Sequence, residues 1–234
     1  MNIQTELSLR LLRGRGVAKL GLTGWISLAG LILGVACLVV SMAVVSGFER
    51  TLQRSVSDVT GHLQILRTSA VPAGDVGLGD RIKDLEPDYV ASTRVLWVES
   101  VAVSHGQISG ALLQGLDPEK MPKVLRLESH LKEGELRLAE KDGVAQALIG
   151  KGLAERFGLH VGDQFRLVVP LLSELDPNSF RRNVGVFHVA GILDMGKYDF
   201  DERMVLTSLA SAQKLADVGD RDSGVLVRLT DYEK

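Results

Sequence analysis

Between Lys19 and Glu49 the chain carries no charged side chain for twenty-nine residues, and the centre of that run reads Trp25-Ile26-Ser27-Leu28-Ala29-Gly30-Leu31-Ile32-Leu33-Gly34-Val35-Ala36-Cys37-Leu38-Val39-Val40. A bilayer core is roughly 30 Å thick and takes about 20 apolar residues to cross as a helix. The run is long enough to span. Everything downstream must therefore be arranged around a membrane anchor.

The small residues inside it are ordered. Ser27, Gly30, Gly34, Cys37 and Ser41 follow at steps of 3, 4, 3 and 4, which lays them along one helical face. Lipid tails give helices no hydrophobic reason to pair, so membrane helices pack where small side chains let backbones approach. This stripe predicts a packing seam for a partner helix, centred on Gly30-x-x-x-Gly34.

Charge sets the expected orientation. Arg10, Arg13, Arg15 and Lys19 face only Glu6 before the span, a surplus of three positives in a chain of net charge −2. By the positive-inside rule the N-terminus is cytoplasmic and the part after the span is translocated. A cleaved signal peptide begins the same way, but its apolar region runs about 7 to 15 residues and closes on a small-residue site. This run is longer and lacks a clear Ala-x-Ala. The one cysteine, Cys37, sits inside the span, so no disulfide framework exists beyond it. The composition is not basic enough to suggest a nucleic-acid partner.

The chain is expected to divide into three regions: a cytoplasmic segment over 1–23, a transmembrane helix continuing as a stalk beyond the membrane over 24–60, and an extracytoplasmic domain over 61–234. Residues 3–13 read as a short amphipathic helix at the inner membrane surface. After the span Phe48, Leu52, Val56 and Val59 keep helical spacing, so the helix should run on until Gly61. The domain is then predicted as strand His62 to Arg67, a loop Ser69 to Asp80, and a helix Arg81 to Leu85. Strands come next at Val95 to Val98, Ser100 to His105 and, after a Ser109-Gly110 turn, Ala111 to Leu116. Asp117-Pro118 should cap a short helix through Val124. A strand Ala147 to Ile149, a helix Lys151 to Phe157 and a strand Gln164 to Val169 succeed it. Pro170 to Asn183 reads as a polar irregular insertion, the tip of a hairpin completed by Val184 to Leu193. Strand Arg203 to Thr207, helix Ser208 to Leu215 and strand Gly224 to Leu229 end the series. Helices and strands mix without regular β-α-β alternation, which makes the domain α+β.

Five pieces together, Ile26 to Ala36, Ser46-Gly47-Phe48-Glu49-Arg50, Gln114-Gly115-Leu116-Asp117-Pro118, Ile149-Gly150-Lys151-Gly152-Leu153-Ala154 and Val161-Gly162-Asp163, resemble the permeases of the lipoprotein-releasing (Lol) ABC transporters. The resemblance runs from about Leu7 to Asp231, and it covers the N-terminal part of such a permease. It implies four spans with one large periplasmic domain between the first two, and an inner-membrane location. The implied partners are a second permease subunit as homo- or heterodimer, a cytoplasmic ABC ATPase that binds the ATP, membrane lipid, the lipoprotein substrate, and a periplasmic lipoprotein carrier. The chain stops at Lys234, about where the second span should begin, so spans two to four lie outside this sequence. A macrolide or peptide export permease of the same superfamily, and a single-pass anchored envelope adaptor, are the alternatives.

Carried over from the resemblance, the outer end of the span would contact lipoprotein acyl chains through Met42, Val44, Val45, Phe48 and Leu52. Acyl chains need an apolar wall, which these residues supply. The insertion would carry a carrier-binding tip, with Leu175 and Pro177 as apolar contacts, Asp176 between them, and Arg181 and Arg182 as flanking charge.

No enzyme chemistry is expected in the chain itself. The Gly-x-x-x-x-Gly-Lys-Ser/Thr phosphate loop is absent, and Gly150-Lys151-Gly152 lacks both its length and its hydroxyl. His62, His105, His130, His160 and His188 are widely spaced, without a pair at metal-ligand spacing, and read as surface or strand residues. The acid pairs Asp199/Asp201 and Asp220/Asp222 read as solvated turns. Neither a metal site nor a cofactor is expected.

Overall fold

The computed structural model describes residues 22–66, 78–141, 143–172 and 180–230, and places them in two compact units that divide between Gln53 and Arg54. The predicted surface helix at 3–13 and the tip residues Leu175, Asp176 and Pro177 lie outside the described residues.

Helix α1 spans Leu22–Thr60, 39 residues without a break. Within it Gly24–Glu49 is long and apolar enough to cross a bilayer, with mean hydropathy 2.7. Trp25, Leu31, Leu33 and Phe48 are all more than half exposed, as a lipid-solvated helix requires.

Among the described residues the second unit is a nine-stranded sheet with short helices. Its strands are β1 (Leu63–Leu66), β2 (Tyr89–Ser104), β3 (Gln107–Leu116), β4 (Leu131–Gly134), β5 (Ala145–Gly150), β6 (Gln164–Leu172), β7 (Phe180–Leu193), β8 (Met204–Ser208) and β9 (Gly224–Leu229). Its helices are α2 (Leu78–Leu85), α3 (Met121–Val124), α4 (Lys151–Phe157), α5 (Tyr198–Arg203) and α6 (Leu209–Ala216). The α+β reading holds.

The strand pairings close on themselves. β2 pairs β3, β3 pairs β8, β8 pairs β5, β5 pairs β7, β7 pairs β6, and β6 returns to β2 through Val101↔Val168 to Val103↔Arg166. Alternation sends Ala102, Ala111, Leu113, Phe165, Leu167 and Phe187 to one side, where α4 and α6 add Leu153, Phe157, Ala212 and Leu215 to a single core. The opposite face of β3 and β8 carries a second core, with Leu116, Leu206 and Met204 against Met121, Val124 and Leu138. Val59, in the last turn of α1, is fully buried in that second core.

Three expectations need correction. The two strands proposed before and after Glu99 are one strand, β2, because Glu99 faces solvent while Ser100 turns in and donates its hydroxyl to the Ala111 carbonyl at 3.0 Å. The β2–β3 turn falls at His105 and Gly106, with φ of 48° and 77°, and not at Ser109-Gly110. Two consecutive positive φ values are what a tight two-residue hairpin demands, and Gly106 supplies one without strain. The supposed irregular insertion is shorter, since the β6–β7 ladder continues through Pro170↔Arg182, Leu171↔Arg181 and Leu172↔Phe180. Strand β4 and helix α5 were not anticipated. Both are short and depend on tertiary partners, β4 on β7 and α5 on α4.

Both predicted helix starts shift. Asp117 accepts the Glu119 amide on Oδ1 at 3.0 Å, but the N-cap of α3 is Lys120, which makes no side-chain capping bond. Ser208, read as the first helical residue, is instead the N-cap of α6, its hydroxyl accepting the Ser211 amide at 3.1 Å.

Candidate functional site

The first candidate surface is the membrane helix. At about 100° per residue, Ser27, Gly30, Gly34, Cys37, Ser41, Val44, Val45, Phe48 and Leu52 all fall within an arc of about 100°, and Met42 lies outside it. The proposed packing seam and the proposed acyl-chain wall are thus two parts of one stripe. Around Gly30 and Gly34 nothing comes within 4 Å of where a Cβ would stand. Cys37 is an exposed free thiol. Beyond Ser41 the stripe changes from small to bulky side chains, with Val44, Val45 and Phe48 all 63–65% exposed. The Leu52 side chain lies outside the described residues. A partner backbone can approach closely along the first half and cannot along the second, which leaves an apolar wall there.

The second candidate is the β6–β7 hairpin. Of the flanking charges, Arg182 is exposed in β7 opposite Pro170. The Arg181 backbone pairs with Leu171, and its side chain lies outside the described residues. Below them a groove of about 650 Å³ opens beside β7, lined among others by Val184, Val186, Leu215, Lys214 and Glu140.

The third is the joint where α1 enters the domain, which the sequence reading missed because its histidines looked like ordinary surface residues. The Arg126 amide donates to the Asp58 carbonyl at 2.9 Å, and the Asp58 carboxylate stands 3.6 Å from His130 Nε2. His130 Nδ1 lies 3.3 Å from the Asp194 carbonyl, and Asp194 holds the Lys151 ammonium at 3.3 Å. That ion pair draws the Asp194 carboxyl below its usual range. Gly61, at φ +73°, sits so close to the Val227 carbonyl that a Cβ would lie 2.9 Å from it. His62 Nδ1 accepts the Leu229 amide at 3.2 Å. Burial, and then the neighbouring Arg228 charge, push the His62 imidazole below its ordinary value. Arg228 is itself 6% exposed and donates to the Val124 carbonyl at 3.0 Å. Burial, then Arg126, lowers its guanidinium as well. Of these basic groups, His130 stands next to the Asp58 carboxylate, while His62, Arg228 and Arg126 act on one another.

The acid pairs also differ from expectation. Asp220 and Asp222 clasp Arg94, and Asp201 accepts the amides of Met195 at 2.8 Å and Lys197 at 3.0 Å. They organise loops and are not simply solvated. Among the described residues no three His, Cys, Asp or Glu side chains come together as a metal-ligand set.

An apolar helix whose last turn sets Val59 into the second core of a ring-paired α+β domain defines a membrane-anchored extramembrane module. The model of the MacB-like periplasmic core domain matches residues 25–234, and the chain belongs to that family. Among curated proteins it is similar to the lipoprotein-releasing system transmembrane protein LolC of Xylella fastidiosa (strain Temecula1), 27% identical over 237 residues, or 99% of this chain and 55% of that protein. It is also similar to LolE of Haemophilus influenzae, 25% identical over 238 residues, 99% of this chain and 56% of that one. The chain spans about half the length of the curated relatives it matches. The resemblance to the lipoprotein-releasing permeases is thereby borne out. Among solved structures, the periplasmic region of MacB from Actinobacillus actinomycetemcomitans matches with TM-score 0.43 and 14% identity, over 76% of this chain and 71% of that one.

Proposed function

We propose that this chain is the N-terminal part of a permease subunit of an ABC transporter that releases lipoproteins from the inner membrane to a periplasmic carrier. The observation that carries the reading is that similarity to LolC covers 99% of the chain, so it includes the apolar helix as well as the domain. On this reading the N-terminus is cytoplasmic and the domain periplasmic. A partner ATPase binds and hydrolyses the ATP, and this chain binds no cofactor. A second permease subunit, a copy or a sibling, packs along the Gly30–Gly34 seam, where backbones can approach.

The physical task explains the change along the stripe. Moving an acyl chain from lipid to an apolar protein wall exchanges one greasy surface for another, whereas exposing it to water costs about 0.8 kcal/mol per CH₂. A continuous wall at Val44, Val45 and Phe48, just past a close-packed seam, lets the chain leave the bilayer without that cost. The hairpin tip at Leu175, Asp176 and Pro177, flanked by Arg181 and Arg182, is the proposed contact for the carrier.

The test is photocrosslinking in cells expressing the gene that encodes this chain, with a benzophenone amino acid at Phe48 or, on the opposite side of the helix, at Val39. Capture of acylated lipoprotein at Phe48 and not at Val39 is the expected result. Equal capture at the two positions, or none at Phe48, would defeat the acyl-wall reading.

A further inference from the structure

Strand β7 has one edge in two different states. That edge pairs with β5 from Phe187 onward, while β4 pairs from Gly191 along the opposite edge, beyond the end of β6. Before Phe187, among the described residues, β7 pairs with β6 alone. Its other edge over 182–186 faces the groove of about 650 Å³ that separates it from the start of β5 and from α6. Unpaired strand edges are templates for another strand, and this one has a space beside it.

The side chains around that space sort by face. Val184 and Val186, 54% and 46% exposed, point to the outer face of the hairpin with Arg182. On the other side α6 presents Ser211, Lys214 and Leu215 to the groove. Two exposed cations, Arg182 and Lys214, face a single acid, Glu140. A strand laid here alternates its side chains between the two faces. Apolar residues would meet Val184 and Val186, and the residues between them would point toward Lys214.

We propose that the edge of β7 left unpaired among the described residues takes an extended, acid-bearing polypeptide segment by strand addition, in line with β5. The affinity comes from main-chain hydrogen bonds to the edge, and the selectivity from apolar contact on one face and charge on the other. The site shares Arg182 with the proposed carrier contact, but its test needs neither a carrier nor a transporter and can fail while the permease reading stands.

The test uses the whole chain in detergent micelles and a synthetic seven-residue peptide alternating valine and glutamate, capped at both ends. Amide hydrogen exchange over 180–188 should slow with the peptide bound, and a version with lysine in place of glutamate should bind at least tenfold more weakly. Reversing the charge on the glutamate face with K214E, on an exposed side chain, should reverse that preference. Two further peptides, N-methylated on all valines or on all glutamates, each remove the donors from one edge. At least one of them must lose binding. No protection, equal binding of the acidic and basic peptides, an unreversed preference in the K214E variant, or full binding by both N-methylated peptides would each overturn the proposal.

Discussion

Arg94 on β2 grips Asp222 across 128 residues of sequence, its Nε donating to Oδ2 at 2.6 Å. The same guanidinium reaches Asp220 through both its terminal nitrogens, to Oδ1 and to the backbone carbonyl, each at 2.9 Å. The loop before β9 is thereby closed onto β2. Asp222 is 3% exposed at its side chain and Asp220 is 72% exposed.

That asymmetry predicts unequal losses. Arg94→Ala should lower the unfolding free energy by about 2 kcal/mol, in the range of hydrogen bonds to charged groups, because it takes the guanidinium from a buried carboxylate. Asp220→Asn should leave stability nearly unchanged, since water already solvates that side chain. Urea unfolding followed by circular dichroism separates the two, and equal effects would mean that the exposed contact matters as much as the buried one.

Gln114 on β3 stands between Trp97 and Leu206, fully buried, and among the described residues neither its amide nitrogen nor its oxygen has a partner. A buried polar group without a hydrogen bond costs about 1–3 kcal/mol. Gln114→Leu, close in size and apolar, should therefore raise the unfolding midpoint. A fall in the midpoint would show that the amide is satisfied in solution.

The joint at α1 should weaken in acid. His62 has a folded-state value below its ordinary 6.5, because it is buried beside Arg228 and Arg126 with Asp58 as a partial offset. The unfolded chain then binds the proton more readily than the folded one, so stability rises with pH in this range. The contribution is complete above about pH 6.5 and is lost as pH falls below it. Protonation would also remove the lone pair that accepts the Leu229 amide. His62→Gln should flatten the dependence of unfolding free energy on pH between about 7.5 and 5.5, and an unaltered slope would assign that dependence to other groups.

Gly30 and Gly34 should matter for assembly and hardly at all for the fold of the domain, as both face open space. Gly30→Leu with Gly34→Leu should reduce co-purification with a tagged partner permease by about tenfold while leaving the far-ultraviolet spectrum unchanged. Undiminished co-purification would show that the subunits assemble through another surface.

Much of this protein was readable from local pattern. The span could be identified because a bilayer imposes a length and a polarity on any helix that crosses it. The end of α1 at Gly61, the helix ahead of Phe157 and the final strand were readable because caps and alternation act over a few residues. The β2–β3 turn was misplaced because Ser109-Gly110 carries a turn-like composition, while the ladder from Val95↔Leu116 to Ser104↔Gln107 made His105 and Gly106 the better corner. No local pattern could show that Gly110 sits mid-strand opposite Val101.

By itself the amino-acid order determined the anchor, its small-residue stripe, and the α+β character of the domain beyond it, since each rests on periodicity and on the solvent that a segment must meet. Tertiary structure alone decided that β6 closes the strands back onto β2, that Arg94 holds two distant aspartates, that His130 meets Asp58 while His62 lies near Arg228, and that, among the described residues, β7 keeps half of one edge unpaired. Those features depend on residues far apart in sequence becoming neighbours. Proximity of that kind comes from burying apolar faces together, and is written in no single stretch of chain.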